Sequence, residues 1–355
     1  MTSPDPARYA RQIRLPEVGL EGQKKLAQAS VLVVGAGGLG APALHHLAAS
    51  GVGTLGIVEF DHVDVTNLHR QTLYSTDDVG QPKATAARNR LNRINPDVEV
   101  TIYPERLTPA NAQSLMAPYD LVLDGSDAFP TRYAVNDASV RTRTPTVFAS
   151  VSRFSGQASV FGTETGPCYR CLFPEPPPPD LIPNCEDGGV LGAVPSLLGT
   201  IQAAEAIKLI VGIGSPLVGR LLLVDVLTME FREIAVERDP GCPACGTGRS
   251  DLIAPSDEPL EITAPELRAL MAEQAPALVD VREAAERHEG HIGGRLIPLG
   301  QLDVRAFELD DVRDREIVVY CASGGRSARG ARLLRERGFR ARSLRGGLEA
   351  WGALS

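Results

Sequence analysis

The sequence predicts an α/β protein of two units, a doubly wound Rossmann-like sheet followed by a smaller α/β domain. Three observations predict it. Apolar β-branched runs alternate with helical stretches along the chain, the pattern of a largely parallel sheet with helices on both faces. The first such run, Val31 to Val34, opens into the glycine loop "GAGGLG", Gly35 to Gly40. The chain, at 355 residues, exceeds one ordinary core, since domains usually run to about 100 to 200 residues. A stretch of linker composition, "GRSDLIAPSDEPLE", divides it, and the boundaries read as 1–250, a linker over 251–259, and 260–355.

Taken in order, an N-terminal amphipathic helix leads to "SVLVVGAGGLGAPALHHLAASGVGTLGIVEFD", which reads as strand, glycine turn, helix from near Gly38, and strand. "KATAARNRLNRINPDVEVTIYPE" adds a helix closed by Asn-Pro and another strand. "YDLVLDGSD", "TPTVFASV" and "GQASVFG" read as strands and "SLLGTIQAAEAIKLIVG" as a helix. Pro174 to Gly189 carries too many prolines for a helix or central strand and must be a loop. The second unit reads as helix (Ala264 to Ala272), strand "ALVDVR", strand "EIVVY", helix "RSARGARLLRERG", strand "ARSL" and a final "GGLEAW".

Bulk properties narrow the functions. Hydrophobic residues make up 43%, charged residues 23% and aromatics 5%, with net charge -8. An acidic, aromatic-poor chain suits neither a nucleic acid nor an anionic membrane surface, so a small ligand or a protein partner is expected. The N-terminus has no continuous apolar run of signal type, and four of six cysteines fall in CxxC pairs, which together predict a cytoplasmic protein.

G-x-G-x-x-G between a strand and a helix offers backbone amides and a helix N-terminus to phosphate. Alone it suits a nicotinamide dinucleotide as well, with Glu59 on the ribose, so an oxidoreductase is one alternative. Arg70 and Lys83 favour a nucleoside triphosphate, because displacing pyrophosphate needs cations for the developing charge. Asp127, just past a strand, is placed to hold Mg²⁺.

"RYARQIRLPEVG", "GAGGLG", "TNLHRQ", "VGQPKA", "DGSDAFPTR", "CYRC" and "GCPAC" in this order resemble the ThiF/HesA/MoeB family over Tyr9 to Gly246. The resemblance implies ATP- and Mg²⁺-dependent adenylation of the C-terminal glycine of a small β-grasp sulfur-carrier protein ending in Gly-Gly. It implies that Gly38 touches the phosphates, Glu59 the ribose, and Thr66, Asn67, Leu68, His69 and Arg70 the nucleotide. Lys83 would touch the phosphates and Asp127 the metal. Arg11 matches an arginine that enters the neighbouring subunit's site, which implies a homodimer. Two positions depart from the pattern: Glu59 stands where Asp is usual, and Ala128 where Asn is usual.

Cys168 and Cys171, with Cys242 and Cys245, form two CxxC pairs, the spacing of a closed structural Zn²⁺ site, and they match the family's zinc ligands. Cys185 lies in the Pro-rich stretch beside Glu186 and Asp187, which do not favour a thiolate; a covalent role and a passive one both stand. Cys321 heads "CASGGRSARG", where loop amides, a helix N-terminus and Arg326 would stabilise an anion at sulfur. A cysteine phosphatase needs a loop one residue longer than the Cys321 to Arg326 spacing; the shorter one suits a persulfide. With "LVDVRE", "EGHIGGRLIPL" and "GGLEAW" this stretch resembles a rhodanese domain over Leu260 to Trp351.

The combination resembles fused enzymes of the MoeZ type. It implies that a Cys321 persulfide, loaded by a cysteine desulfurase or thiosulfate, attacks the adenylated carrier, and that Cys185 is a candidate for releasing the thiocarboxylate. A rhodanese unit that only docks a partner is the other alternative. Carriers for molybdenum cofactor, thiamine, cysteine or tRNA thiolation are all compatible.

Overall fold

The apolar runs are buried on both faces of two separate sheets. The computed structural model describes residues 5–175, 189–246, 260–273, 276–288, 290–313, 315–337 and 339–352. The chain divides into Met1–Leu252 and Ile253–Ser355. The expected linker and most of the Pro-rich loop, Cys185 included, lie outside the described residues.

In the first unit α1 (Ala10–Ile13) and α2 (Gly19–Gln28) lead into β1 (Ser30–Val34), α3 (Gly40–Ser50), β2 (Thr54–Val58), α4 (Lys83–Ile94) and β3 (Glu99–Tyr103). There follow α5 (Ala112–Met116), β4 (Leu121–Asp124), α6 (Phe129–Thr142), β5 (Thr146–Ser152), β6 (Ser155–Phe161) and α7 (Tyr169–Leu172). The long α8 (Ala193–Val211) precedes β7 (Arg220–Asp225) and β8 (Glu230–Ala235). The eight strands run β3-β2-β1-β4-β5-β6-β7-β8, parallel through β5 and antiparallel beyond. Strand order reverses between β1 and β4, the crevice where ligands of such sheets bind.

Side chains alternate along β1. Val31 and Val33 join a core with Leu44, Leu47 and Leu198, while Leu32 and Val34 join a second core on the other face with Met116 and Val135. That two-sided burial is why the strand is apolar at every position.

Helix α8 is long and apolar enough to cross a membrane by length and composition. Here it is a core helix. Gln202 is fully buried and donates to the carbonyls of Asp124 and Val147, and Glu205 accepts the Leu217 amide at 2.7 Å.

Several elements of this unit were not read from the sequence: α5, α6, α7, β7 and β8. Helix α6 buries Arg132, Asn136 and Ser139 among its apolar residues, so it shows no clean stripe. Strand β8 is exposed at all six positions and shows no alternation of burial. The glycine loop also occupies more residues than expected, and α3 starts at Gly40, not near Gly38.

The second unit has β9 (Glu261–Ile262), α9 (Ala264–Glu273), β10 (Ala277–Asp280), α10 (Ala284–His288), β11 (Arg295–Leu296) and α11 (Leu299–Arg305). It ends with β12 (Ile317–Tyr320), α12 (Gly325–Glu336), β13 (Ala341–Leu344) and α13 (Gly347–Gly352). Its all-parallel sheet runs β11-β10-β12-β13-β9, so Cys321 leaves the end of the central strand.

Candidate nucleotide, zinc and sulfur sites

At the end of β1 the chain turns through Gly35 (φ +85°). A Cβ on Gly40 would lie 1.9 Å from the Gly35 carbonyl oxygen, so only glycine closes this turn. Glu59, at the end of β2, is 6% exposed and braces the loop. Its Oε2 accepts the Ala36 amide at 2.9 Å, and its Oε1 accepts the amides of Phe60 and Asp61 at 2.9 Å each. From the other side the Tyr74 hydroxyl donates to the Ala36 carbonyl at 2.9 Å, and burial pushes that phenol's pKa up, so it stays protonated. The Ala36 peptide is thus gripped at both ends. The N–H groups of Gly37 and Gly38 have no hydrogen-bond partner among the described residues.

Cations and polar groups gather over these amides. A Cβ on Gly38 would lie 3.7 Å from Arg70 Cγ and 3.1 Å from Pro195 at the start of α8. The Arg70 guanidinium meets no carboxylate among the described residues; its partners are the Thr66 carbonyl at 3.0 Å and the His69 ring at 2.9 Å. Its charge is therefore not cancelled by a carboxylate. Thr66 and Asn67 build the turn: the Thr66 amide and hydroxyl donate to Asp64, and Asn67 Oδ1 accepts the Asp64 amide. Leu68 packs against the core and His69 is exposed. Gln71, absent from the sequence-based set, is 4% exposed and lies against Gly37 with its Oε1 unpartnered among the described residues.

Lys83 begins α4, is buried, and pairs with half-exposed Asp61 at 3.5 Å. The Asp61 carbonyl accepts the Lys83 amide at 2.9 Å, which fixes the lysine beside the end of β2.

The loop after β4 touches the glycine loop, since a Cβ on Gly35 would lie 3.1 Å from the Gly125 carbonyl oxygen. Buried Asp124 accepts the Ser126 amide at 3.0 Å and hydroxyl at 2.6 Å, and Arg132 donates to the Ser126 carbonyl at 3.3 Å. These bonds present Asp127, which is exposed and has no ion pair or hydrogen bond among the described residues. A free carboxylate in that crevice is a fitting donor for Mg²⁺. Ala128 follows at the N-cap of α6 and adds no polar atom. Beneath the loop, Asp124, Arg132, Thr146 and Tyr169 line a cavity of about 10 Å³, space for one water. Arg132 Nε and Thr146 Oγ1 have no hydrogen-bond partner among the described residues.

Arg11 does not come to this crevice. Its helix is anchored by Tyr9, whose ring fills the space beside Gly51 at the far end of α3, and by Gln12, which donates to the Ser50 carbonyl. Eleven residues of α3 separate that end from the glycine loop, about 16 Å at 1.5 Å per residue. Arg11 is exposed and without a partner among the described residues.

The four CxxC cysteines converge at the base of the unit. Cys168 Sγ lies 3.6 Å from Cys242 Sγ and 3.9 Å from Cys171 Sγ, and Cys171 Sγ lies 3.4 Å from Cys245 Sγ. All four sulfurs fall within 4.8 Å of one another. A tetrahedron with Zn–S arms of about 2.3 Å has edges of about 3.8 Å, so the cluster fits Zn²⁺. Burial and the neighbouring thiols push Cys168 up and Cys245 up to about 11. Against its burial, hydrogen bonds from the Cys245 and Ala244 amides and the neighbouring thiols bring Cys242 down. Zn²⁺ bound here would hold the sulfurs as thiolates. With all four positions taken by sulfur, such a site is structural.

Cys321 is buried, and its sulfur faces main-chain donors. Sγ accepts the Gly324 amide at 3.1 Å and the Ser327 amide at 3.4 Å, and the Ser327 hydroxyl lies 3.5 Å away. Gly324 adopts φ +99° to aim its amide inward, and Gly347 (φ +58°) presses on the carbonyls of Cys321 and Ala322. Burial pushes the thiol up. The Ser327 hydroxyl and the amides of Ser327, Gly324 and Arg326 more than reverse this, leaving Cys321 below the ordinary cysteine value. Arg326 contributes here through its amide. Its guanidinium, expected alongside the sulfur, is paired with Glu286 and still interacts electrostatically with Cys321.

The fold and the sites define a nucleotide-binding α/β enzyme joined to a unit built around a buried, amide-ringed cysteine. The chain belongs to the ThiF family, whose model matches residues 9–244, and a rhodanese-like domain matches residues 263–354. A "Sulfur carrier protein adenylyltransferase" of Thermus thermophilus is 56% identical over 67% of this chain and 90% of its own length. A "Probable adenylyltransferase/sulfurtransferase MoeZ" of Mycobacterium tuberculosis is 45% identical over 97% of this chain and 92% of its own length. An "Adenylyltransferase and sulfurtransferase MOCS3-1" of Zea mays is 40% identical over 97% and 81% respectively. The crystal structure of MccB from E. coli with MccA-N7isoASN shares the fold, with TM-score 0.60 and 22% identity over 68% of this chain and 74% of that one.

Proposed function

We propose that this adenylyltransferase and sulfurtransferase activates the C-terminal glycine of a small β-grasp carrier and converts it to a thiocarboxylate, using Cys321 as the sulfur-bearing residue. The Gly37 and Gly38 amides receive the phosphates under Arg70 and Lys83, and Glu59 holds the loop and accepts the ribose hydroxyls. Mg²⁺ on Asp127 would supply charge neutralisation for departing pyrophosphate. The carrier carboxylate attacks the α-phosphate and pyrophosphate leaves. The terminal sulfur of a Cys321 persulfide then attacks the acyl carbon and displaces AMP. A second thiol, for which Cys185 is the candidate, attacks the Cys321 sulfur, and the thiocarboxylate departs as the resulting disulfide forms.

One observation carries this reading: a buried Cys321 sulfur ringed by amides, in the same chain as a glycine loop whose amides and arginine await an anion. The test is ATP–pyrophosphate exchange with carriers ending in Gly-Gly, followed by intact-mass analysis for oxygen replaced by sulfur. Exchange without any thiocarboxylate, or no exchange with any β-grasp carrier, would sink it. A docking-only rhodanese unit predicts that Cys321→Ala still yields thiocarboxylate. Carriers for molybdenum cofactor, thiamine, cysteine and tRNA thiolation are the substrates to compare. A cytoplasmic homodimer with Zn²⁺ on Cys168, Cys171, Cys242 and Cys245 completes the proposal, supported by the sulfur geometry and by the placement of Arg11.

A further inference from the structure

Both ends of the Arg326 guanidinium are taken. Nη1 donates to Glu286 Oε2 at 2.7 Å and Nη2 to Glu286 Oε1 at 2.5 Å. Glu286 belongs to α10, and its Oε2 also accepts the Glu283 amide at 3.0 Å, which fixes the carboxylate from a second side. Fork-to-fork pairing of this kind is strong and directional. Hydrogen bonds from Arg326 and the Glu283 amide hold the Glu286 carboxyl down to about 2, so it is ionised at any working pH.

The other charges of the loop region are engaged too. Arg282 is bidentate on buried Asp280, and Arg287 lies 3.7 Å from Asp280 and donates to the Gly294 carbonyl. What touches the sulfur is uncharged: the amides of Gly324 and Ser327 and the Ser327 hydroxyl. Such a ring suits one anionic sulfur. It does little for a donor that brings a sulfonate charge as well.

We propose that Glu286 is a specificity-determining residue for sulfur loading: by neutralising Arg326 it sets the Cys321 pocket against dianionic donors such as thiosulfate and favours a persulfide carried on a thiol. The proposal rests on Cys321 being the sulfur-bearing residue. In the favoured reaction the Cys321 thiolate attacks the outer sulfur of R–S–SH, the S–S bond breaks, and RS⁻ leaves as Cys321–S–SH forms. With thiosulfate the same attack expels sulfite and leaves the persulfide anion. Each balances without an added oxidant or reductant.

The test measures the second-order rate of persulfide formation on Cys321 by intact mass, in the full-length protein, with thiosulfate and with cysteine persulfide. In Glu286→Gln, which keeps an acceptor for the Glu283 amide, thiosulfate loading should rise about tenfold as Arg326 is released, while cysteine persulfide changes less than about twofold. Adding Arg326→Gln to that variant should cancel the thiosulfate gain. A folded Glu286→Gln with thiosulfate loading unchanged or lowered, both donors shifting together, or a gain that survives Arg326→Gln overturns the proposal. Should Glu286→Gln not fold, wild type decides: with Arg326 neutralised, thiosulfate loading should be nearly flat in salt, and a steep fall marks a free cation and overturns it. Cys321→Ala is the separate control. Sulfur gained by that variant refutes Cys321 as the carrier, whatever Glu286 does.

Discussion

Glu59 is one methylene longer than the aspartate usual at its place, and the structure shows what the extra reach does. Its two oxygens accept three amides, one from the glycine loop and two from its own turn. Glu59→Gln keeps the shape but presents N–H to one of those amides. A buried donor without a partner costs about 1–3 kcal/mol, so the variant should melt lower and lose most pyrophosphate exchange, read by calorimetry and exchange rate. Cys321 makes a second residue-scale prediction, in pH. Its thiol lies below the ordinary 9.0, so the rate of alkylation should rise through a midpoint under that value. Ser327→Ala removes part of what stabilises the thiolate. The midpoint then moves up, and less thiolate is present at neutral pH; an unchanged midpoint would remove Ser327 from the sulfur's support. Glu59 and Cys321 were legible because each sits at a fixed place in a local motif. Tyr74 and Glu286 were not, because they act on Ala36 and Arg326 from 38 and 40 positions away.

At the scale of elements, the parallel half of the first sheet was readable because strands buried on both faces are apolar throughout. The β7–β8 hairpin lacks that signature, since β8 is exposed at every position, and α6 mixes arginine, asparagine and serine into its buried face. The four CxxC cysteines join two such distant pieces, the start of α7 and the segment after β8, across 74 positions. Spacing alone exposed each pair, and the fold brings the pairs together. Cys242→Ser, or a strong chelator, should therefore loosen the first unit. With Arg238 donating to the Cys245 carbonyl and to the Glu164 carbonyl, the knuckle also ties down the end of β6. A loss of about 2 kcal/mol or more is expected, roughly 4 °C or more in Tm for a unit of this size. Metal analysis should give one zinc per chain, and thiosulfate loading of Cys321 should survive chelation because the four-cysteine cluster lies in the first unit.

At the scale of the whole molecule, Arg11 raises a question that one chain cannot answer. It is exposed, unpartnered among the described residues, and held at the end of α3 away from the glycine loop. An arginine that cannot reach its own nucleotide contributes to the reaction only from a second copy, and a two-fold dimer would carry each Arg11 to the other's crevice. Subunit mixing separates this from a surface charge of no consequence. Arg11→Ala and Asp127→Ala proteins should each be nearly inactive in pyrophosphate exchange. In a mixed dimer the Arg11→Ala subunit keeps Asp127 and receives Arg11 from its neighbour, so one of the two sites is whole. Random reassociation makes half the dimers mixed, and roughly a quarter of wild-type exchange should return. Activity that stays at the level of the parents after verified subunit exchange would place Arg11 outside the site, and full activity of Arg11→Ala alone would do the same.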